Sequence, residues 1–212
     1  MEIRRYESDL LSSNMYLILE DGHAIVIDPF RDVSAANGFT VDRILLTHEH
    51  YDHISGVNAW KAATGAPVFC SEACAKGICD SRKNLSRYFD VFCELQTWIK
   101  LERIPDGDLS YACEANETFR DRTAFDWRGH RFELFEMPGH SAGSTGILLD
   151  GQHFFSGDSL MEGYEIELRF PGGSRKKWEE IGAPRLASLS SSIFVYPGHF
   201  SPFSYHGKTP SE

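Results

Sequence analysis

The chain has 212 residues, 42% of them apolar, which is enough for one large domain with a substantial core. Its formal net charge of −10 argues against a nucleic-acid partner, because proteins with that role usually carry a basic face. No run approaches the roughly 20 apolar residues of a membrane span, so we expect no membrane partner. Acids stand among residues 2–9, where a signal peptide would be apolar, and this favours a cytoplasmic location.

The five cysteines also favour a reducing compartment, because an odd number without a signal sequence is typical of free thiols. Cys70, Cys74 and Cys79 lie close together in the sequence, but no CxxC pair is present. Irregular spacing of this kind predicts packed or surface thiols rather than a structural zinc site.

The first half of the chain predicts a hairpin, a strand, a helix and a short strand, at residues 15–28, 43–46, 54–64 and 67–70. Asp21-Gly22 favours a tight turn within the hairpin. Gly65 suits the C-terminal cap of the helix, and Pro67 prevents the helix from continuing. Residues 71–101 are less regular, with 81–90 as the best helix candidate.

The second half predicts two hairpins, a helix and a last strand, at residues 123–136, 145–156, 175–190 and 192–196. No linker or low-complexity run interrupts the pattern. We therefore predict one domain over residues 1–212, of the α/β (α+β) class, in which two mixed sheets flanked by helices form a four-layer αββα sandwich.

The segment Thr47-His48-Glu49-His50-Tyr51-Asp52-His53 follows the predicted strand at 43–46 and carries several potential metal ligands. Residues two apart in an extended segment point the same way, so His48 and His50 can approach one metal ion together. Asp52 and His53, just beyond, can turn toward a second. Three more candidates each follow a glycine at the end of an apolar strand: His140, Asp158 and His199.

This pattern, with HxHxDH followed by three single ligands, resembles the metallo-β-lactamase superfamily over roughly residues 13–200. The resemblance implies the αββα sandwich and two divalent metal ions, with zinc favoured and iron or manganese as alternatives. It places the first ion on His48, His50 and His140. It places the second on Asp52, His53 and His199, with Asp158 bridging both.

Within the superfamily, the glyoxalase II-like hydrolases are the most similar branch. Pro-Gly-Gly-Ser at 171–174 matches a stretch of that branch, whereas Glu167 and Arg169 stand where the branch has arginine and aspartate. We expect these two residues to form an ion pair that orients the loop. The helical extension with which glyoxalase II binds glutathione has no counterpart after His199, which speaks against a glutathione thioester as substrate.

The function that the resemblance implies is a dinuclear hydrolase, in which a metal-bridging hydroxide attacks a small ester, thioester or lactone. Asp52 would orient the nucleophile and accept its proton, and the second ion would stabilise the leaving group. One alternative is an oxidoreductase similar to persulfide dioxygenases, with a single iron on His48, His140 and Asp158. Another is a non-catalytic metal-binding protein. The expected partner is a small-molecule substrate, and the oligomeric state stays open.

Several further side chains carry weaker expectations. His206, Tyr164 and Arg169 are candidates for lining the cleft. Tyr51 is expected to pack beside the site. Three hairpin histidines are expected to be exposed: His23, His130 and His153. Four aromatic residues are expected to form a packed helix face rather than a lid: Tyr88, Phe89, Phe92 and Trp98.

Overall fold

The computed structural model describes residues 1–96, 104–190, 192–205 and 207. The expectations for Trp98 and His206 lie outside these residues. The strands are β1 (Glu2–Glu7), β2 (Asn14–Glu20), β3 (His23–Ile27), β4 (Thr40–Leu45), β5 (Val68–Ser71), β6 (Glu117–Phe119), β7 (Arg122–Trp127), β8 (His130–Glu136), β9 (Thr145–Leu149), β10 (His153–Gly157), β11 (Phe194–Pro197) and β12 (Phe203–Ser204).

The α-helices are short and connect or follow the strands. They are α1 (Tyr51–Ile54), α2 (Val57–Thr64), α3 (Glu72–Ile78), α4 (Phe89–Leu95), α5 (Arg175–Lys177) and α6 (Ala183–Ala187). Two 3-10 turns lie at Val33–Ala36 and Ser86–Tyr88, and a π-helical turn at Trp178–Gly182 joins α5 to α6.

The strands form two six-stranded sheets. In the first, β1 to β6 lie in sequence order, with antiparallel pairing from β1 to β3 and parallel pairing from β3 to β6. In the second, the order is β12-β11-β10-β9-β8-β7, and β10 pairs with β11 in parallel. Both sheets are mixed, as the sequence predicts.

Alternating side chains divide the core into layers. On β2, Tyr16 and Ile18 face the second sheet, where they pack with residues such as Phe132 and Phe155. Their neighbours Met15 and Leu17 face the opposite way and pack against the helices that follow β4. A third apolar cluster lies between the second sheet and α6. Because a strand has a period of two, each sheet presents one face to the other sheet and one face to helices. The predicted four-layer αββα sandwich is confirmed.

In the first half of the chain, two helix predictions need correction. The predicted helix at 81–90 is wrong, because residues 81–85 form turns and Leu85 has a positive φ of 67°. Only the 3-10 turn at Ser86–Tyr88 and the start of α4 fall in this range. The predicted helix at 54–64 is instead α1 and α2, separated at Ser55-Gly56. A Cβ on Gly56 would overlap the backbone of Phe30. Glycine at this break therefore lets the chain pass close to Phe30.

Within the described residues, no helix combines the length and the apolar character that crossing a membrane requires.

Candidate metal centre

The predicted ligands follow the carboxyl ends of strands that run in the same direction within their sheet. β3 and β4 are parallel in the first sheet, and the HxHxDH segment follows β4. In the second sheet, β8, β10 and β11 share one direction, since β9 is antiparallel to both β8 and β10. The three single ligands follow these strands: His140, Asp158 and His199. The two strand-end edges meet, and the structure brings all seven residues together.

The first cluster consists of His48, His50 and His140, all buried. One ring nitrogen from each lies within 4.8 Å of the others. The closest pair is His50 Nδ1 and His140 Nε2, at 3.0 Å. His140 Nδ1 donates a hydrogen bond to the carbonyl oxygen of Glu167 at 2.9 Å, which leaves Nε2 as the atom with a lone pair directed into the cluster.

The second cluster consists of Asp52, His53 and His199. His53 Nε2 lies 3.4 Å from His199 Nε2 and 3.5 Å from Asp52 Oδ2. His199 Nε2 lies 3.4 Å from the same carboxylate oxygen. All three potential ligand atoms therefore face one point.

Asp158 lies between the clusters. Its Oδ2 is 3.4 Å from His140 Nε2 and 3.4 Å from His199 Nε2, and it is 3.9 Å from His48 Nε2. Its Oδ1 is 3.4 Å from His53 Nε2. One carboxylate thus contacts histidines of both groups, as a bridging ligand would.

These separations fit metal ions. Four ligands at about 2.0–2.1 Å in a tetrahedron lie about 3.3–3.4 Å from one another, and most of the observed distances are close to that value. His48 Nε2 and Asp158 Oδ1 are buried without a hydrogen-bond partner among the described residues. Buried polar atoms are seldom left without partners, so these two atoms fit a site built for a cation. Nitrogen and carboxylate ligands suit zinc, iron or manganese.

The electrostatics of the site favour the metal-binding forms of the first cluster and of Asp158. Burial, with nearby His140, lowers the pKa of His50 to about 3, and burial lowers the pKa of His48 and His140 as well. Burial acts to raise the pKa of Asp158, but His199 and His53 hold it well below its ordinary value. Neutral imidazoles and an ionised carboxylate are the forms that bind metal ions. In the second cluster, burial acts to lower the pKa of His53 and His199, but the carboxylates of Asp52 and Asp158 raise both, that of His199 to about 9.

Asp28, at the end of β3, is a supporting residue that the sequence reasoning missed. Its carboxylate accepts hydrogen bonds from His53 Nδ1 at 3.1 Å and from the backbone and hydroxyl of Thr47 at 2.8 and 2.5 Å. The Thr47 hydroxyl also lies 3.0 Å from His48 Nδ1 and can accept a hydrogen bond from it. Although an Asp28 oxygen lies within 4.8 Å of ligand atoms of His48 and His53, these bonds occupy the carboxylate. Asp28 therefore orients one histidine of each cluster.

Glu49 is a second residue that was missed, although it lies inside the motif. Its side chain is only 3% exposed, and its carboxylate accepts hydrogen bonds from Ser141 Oγ at 2.8 Å and from the Gly143 amide at 3.1 Å. A Cβ on Gly77 or Gly143 would overlap the Glu49 side chain. Glu49 thus ties the segment carrying His48 and His50 to the loop carrying His140.

The glycines before the three single ligands serve mainly to make room. A Cβ on Gly198 would overlap the Asp158 carboxylate, and a Cβ on Gly139 would lie 2.8 Å from Trp178. Only Gly157 has a positive φ, of 50°, and a Cβ there would lie 2.6 Å from Thr47 Oγ1. Close packing, more than a sharp turn of the backbone, explains why a glycine stands at each of these three positions.

A cleft of about 310 Å³ opens onto the site. His50, Asp52, Asp158 and His199 lie on its floor, and Arg169 lines it at the rim, as expected for a cleft residue. Tyr51 is buried beside the floor, where its hydroxyl accepts a hydrogen bond from the Asp108 amide at 2.8 Å.

The other weaker expectations have mixed outcomes. Tyr164 lines a different cavity and stacks on Phe200 with ring centroids 4.3 Å apart. Phe89 is buried and lines the cleft together with Phe92, whereas Tyr88 is exposed. The expectation that the hairpin histidines are exposed is wrong, since each is partly buried against a polar partner: His23 on Asp42, His130 on Asp150 and His153 on Tyr196.

Sequence comparison places these observations in a family. The profile described as "Metallo-beta-lactamase superfamily" matches residues 8–199. A probable metallo-hydrolase of Streptococcus pyogenes is 25% identical over 98% of this chain and 84% of its own length. A hydroxyacylglutathione hydrolase of Alkalilimnicola ehrlichii is 28% identical over 81% of this chain and 52% of its own length. The chain spans 52% to 63% of the length of four relatives with that name.

Solved structures agree on the fold. The B3 metallo-beta-lactamase BLEG-1 has a TM-score of 0.78 at 22% identity, covering 96% of this chain and 94% of that one. TTHA1623 in a di-iron-bound form has a TM-score of 0.69 at 24% identity, covering 95% of this chain and 94% of that one.

Two sandwiched mixed sheets, with histidine and aspartate clusters at their joined strand ends, define a protein of the metallo-β-lactamase fold with residues that could bind metal ions. The chain belongs to the metallo-β-lactamase superfamily.

Proposed function

We propose that the protein is a dinuclear metal-dependent hydrolase that cleaves a small ester, thioester or lactone. The observation that carries this proposal is the position of the Asp158 carboxylate, within 3.4 Å of histidines from both clusters. A site for one metal ion would not need both clusters of three candidate ligand residues. The names of the hydrolase relatives support the same class of reaction.

In the proposed site, His48, His50 and His140 hold one ion, and Asp52, His53 and His199 hold the other, with Asp158 shared. Two such ions, when bound, lower the pKa of water and supply hydroxide at neutral pH. Zinc is our first choice, with iron or manganese as alternatives.

Asp52 is the proposed catalytic residue. Although burial opposes ionisation, His53 and His199 hold the pKa of Asp52 below its ordinary value, so its carboxylate is ionised and can accept a hydrogen bond. The side chain faces the cleft and is 12% exposed. Of its two oxygens, Oδ2 lies 3.5 Å from His53 Nε2 and 3.4 Å from His199 Nε2. The other can orient the attacking water and then take its proton.

The test is elemental analysis of the purified protein, followed by a panel of thioesters, lactones and phosphodiesters. We expect two metal ions per chain and turnover of thioesters or lactones. Asp158→Ala should lose both ions and all turnover, because the shared ligand is gone. Asp126→Ala is the matched control, since that side chain is 74% exposed and lies on β7.

Two results would contradict the proposal. Retention of two ions by the Asp158 variant would exclude the bridging role. One iron per chain, with persulfide-dependent oxygen uptake, would support the oxidoreductase alternative instead.

A further inference from the structure

The wall of the cleft is apolar. Among the described residues, and beside the predicted metal ligands and Tyr51, the lining contains two leucines, three phenylalanines and the polar side chains of Gln96, Glu167 and Arg169. The apolar members are Leu11, Leu85, Phe89, Phe92 and Phe170. They come from three separate parts of the chain, so the apolar wall is a product of the tertiary fold.

Phe170 and Phe92 form the part of this wall nearest the first cluster. Their rings meet edge to face with centroids 5.0 Å apart. The Phe170 ring also contacts His50 and His140 edge to face, at 6.0 and 5.8 Å. A group bound at the first cluster therefore lies directly against aromatic carbon.

Apart from the predicted metal ligands, the two charged residues of the described lining, Glu167 and Arg169, neutralise each other. Arg169 Nε and Nη2 donate to the Glu167 carboxylate at 2.9 and 2.5 Å. The Arg169 side chain is 88% exposed, so its charge lies at the rim of the cleft rather than against the wall. An anionic group pushed against Phe92 and Phe170 would lose hydration without gaining an ionic partner among the described residues of the lining.

We propose, on the basis of the hydrolase function above, that the cleft selects an uncharged apolar acyl group. Its carbonyl would lie at the first cluster and its chain along Phe92 and Phe170, while the leaving group lies toward the second cluster. The cavity of about 310 Å³ corresponds to roughly ten water volumes, so an acyl group of about six carbons fits beside the reacting atoms.

The test is a series of acyl thioesters of N-acetylcysteamine, from acetyl to octanoyl, with thiol release as the measurement. We expect kcat/KM to rise about two- to fourfold per methylene up to about hexanoyl, and then to level off. Glutaryl thioester, which is similar in size to hexanoyl but ends in a carboxylate, should react at least about tenfold more slowly than hexanoyl.

Substitutions in the cleft wall test whether Phe92 and Phe170 cause the preference for longer acyl groups. Phe92→Ala and Phe170→Ala should each reduce the hexanoyl-to-acetyl preference by about tenfold. Val91→Ala is the matched control, because Val91 neighbours Phe92 on α4 but is 52% exposed and does not line the cleft. Melting temperature and metal content, measured in every variant, separate a changed wall from a damaged fold.

A binding measurement decides the inference independently of turnover. By calorimetry on the metal-loaded protein, hexanoate should bind more tightly than acetate or glutarate, and Phe170→Ala should remove that preference. If no thioester, ester or lactone is hydrolysed, the proposed function fails, yet hexanoate selectivity would still support the apolar subsite. Turnover or binding that is indifferent to chain length, or that favours the glutaryl group, overturns the subsite and leaves the hydrolase function intact.

Discussion

At the scale of single residues, a buried carboxylate next to a metal centre needs a physical reason, because burying it without partners is costly. For Glu49 the reason is the pair of hydrogen bonds from Ser141 and Gly143, which lie on the loop that carries His140. Burial nevertheless raises the pKa of Glu49 above its ordinary value. We interpret Glu49 as a positioning residue that fixes His140 relative to His48 and His50.

This role predicts a graded response to substitution. Glu49→Gln keeps an oxygen that can accept one of the two hydrogen bonds, whereas Glu49→Ala keeps neither and leaves a void beside Gly77 and Gly143. We expect metal affinity to fall about 10- to 100-fold in the alanine variant and less in the glutamine variant. Competition with a chromophoric chelator measures the metal affinity of each variant.

The control for Glu49 is Glu72→Ala, because Glu72 lies at the start of α3 and is paired with Arg120 at the surface. It should leave metal affinity unchanged. If Glu49→Ala bound metal as tightly as the wild-type protein, Glu49 would merely fill space.

The sequence predicted the seven clustered residues because their types and order form a dense local motif followed by repeated Gly–ligand pairs. Glu49 and Asp28 could not be assigned in this way, since their roles depend on contacts with residues distant in sequence. One feature of the sequence does point to Asp28. It is an acidic residue directly after four apolar residues of β3, at the same strand end as the predicted ligands. The assignment of the seven as metal ligands stays a prediction that metal analysis will test.

At the scale of elements, local turn chemistry explains which strands were predictable. Asp21-Gly22, Arg128-Gly129 and Asp150-Gly151 each join two alternating strands, and all six of these residues have positive φ, as such turns require. The edge strands β1, β6 and β12 were missed. β6 and β12 have only three and two residues, and β1 is rich in charge, which is typical of edges and hides the strand pattern.

The predicted helix at 175–190 shows how tertiary packing changes an element. A π-helical turn interrupts it, and its last α-helical residue is Ala187. A Cβ on Gly182 in this turn would overlap the Trp178 ring and lie 2.9 Å from the Pro138 carbonyl oxygen, so the wide turn lets Trp178 pack beside the His140 loop. No local sequence signal specifies that contact.

One inter-sheet contact gives a pH-dependent prediction. Asp42 on β4 accepts hydrogen bonds from Trp127 Nε1 on β7 at 2.8 Å and from His23 at 2.9 Å. Burial opposes ionisation, but these bonds hold the pKa of Asp42 below its ordinary value. A lowered pKa in the folded state means that the carboxylate adds stability above about pH 3.8 and that this stability is lost as the pH falls below that value.

Asp42→Asn should therefore lower the free energy of unfolding by about 1 kcal/mol at pH 7 and by less at pH 3. Urea unfolding at both pH values, followed by tryptophan fluorescence, measures the difference. Asp126→Asn on β7 is the control and should have little effect at either pH, because its side chain is 74% exposed. An Asp42→Asn deficit that grew toward acidic pH would contradict the sign of the argument.

At the scale of the whole molecule, the candidate centre joins two sheets that are also held together by an apolar core and by a few polar contacts, such as that of Asp42 with Trp127. Asp28 and the HxHxDH segment belong to the first sheet, whereas His140, Asp158 and His199 follow strands of the second. The backbone of Asn14 on β2 also donates to the Gly198 carbonyl at 2.7 Å, so the sheets meet at this point even without an ion. Metal binding should therefore stabilise the packing of the sheets as well as the site.

The expected size of this effect follows from mass action. A ligand that binds only the folded state at about 1,000 times its dissociation constant adds roughly 4 kcal/mol, which for a domain of this size corresponds to about 8–16 °C in melting temperature. We expect chelator-treated protein to melt lower by a shift of that order and to recover when zinc is added back. Asp158→Asn should melt close to the chelated wild-type protein and respond weakly to zinc, because only the wild-type carboxylate contacts both clusters. A melting temperature that did not change on chelation, with metal loss verified by elemental analysis, would mean that the apolar core alone fixes the two sheets.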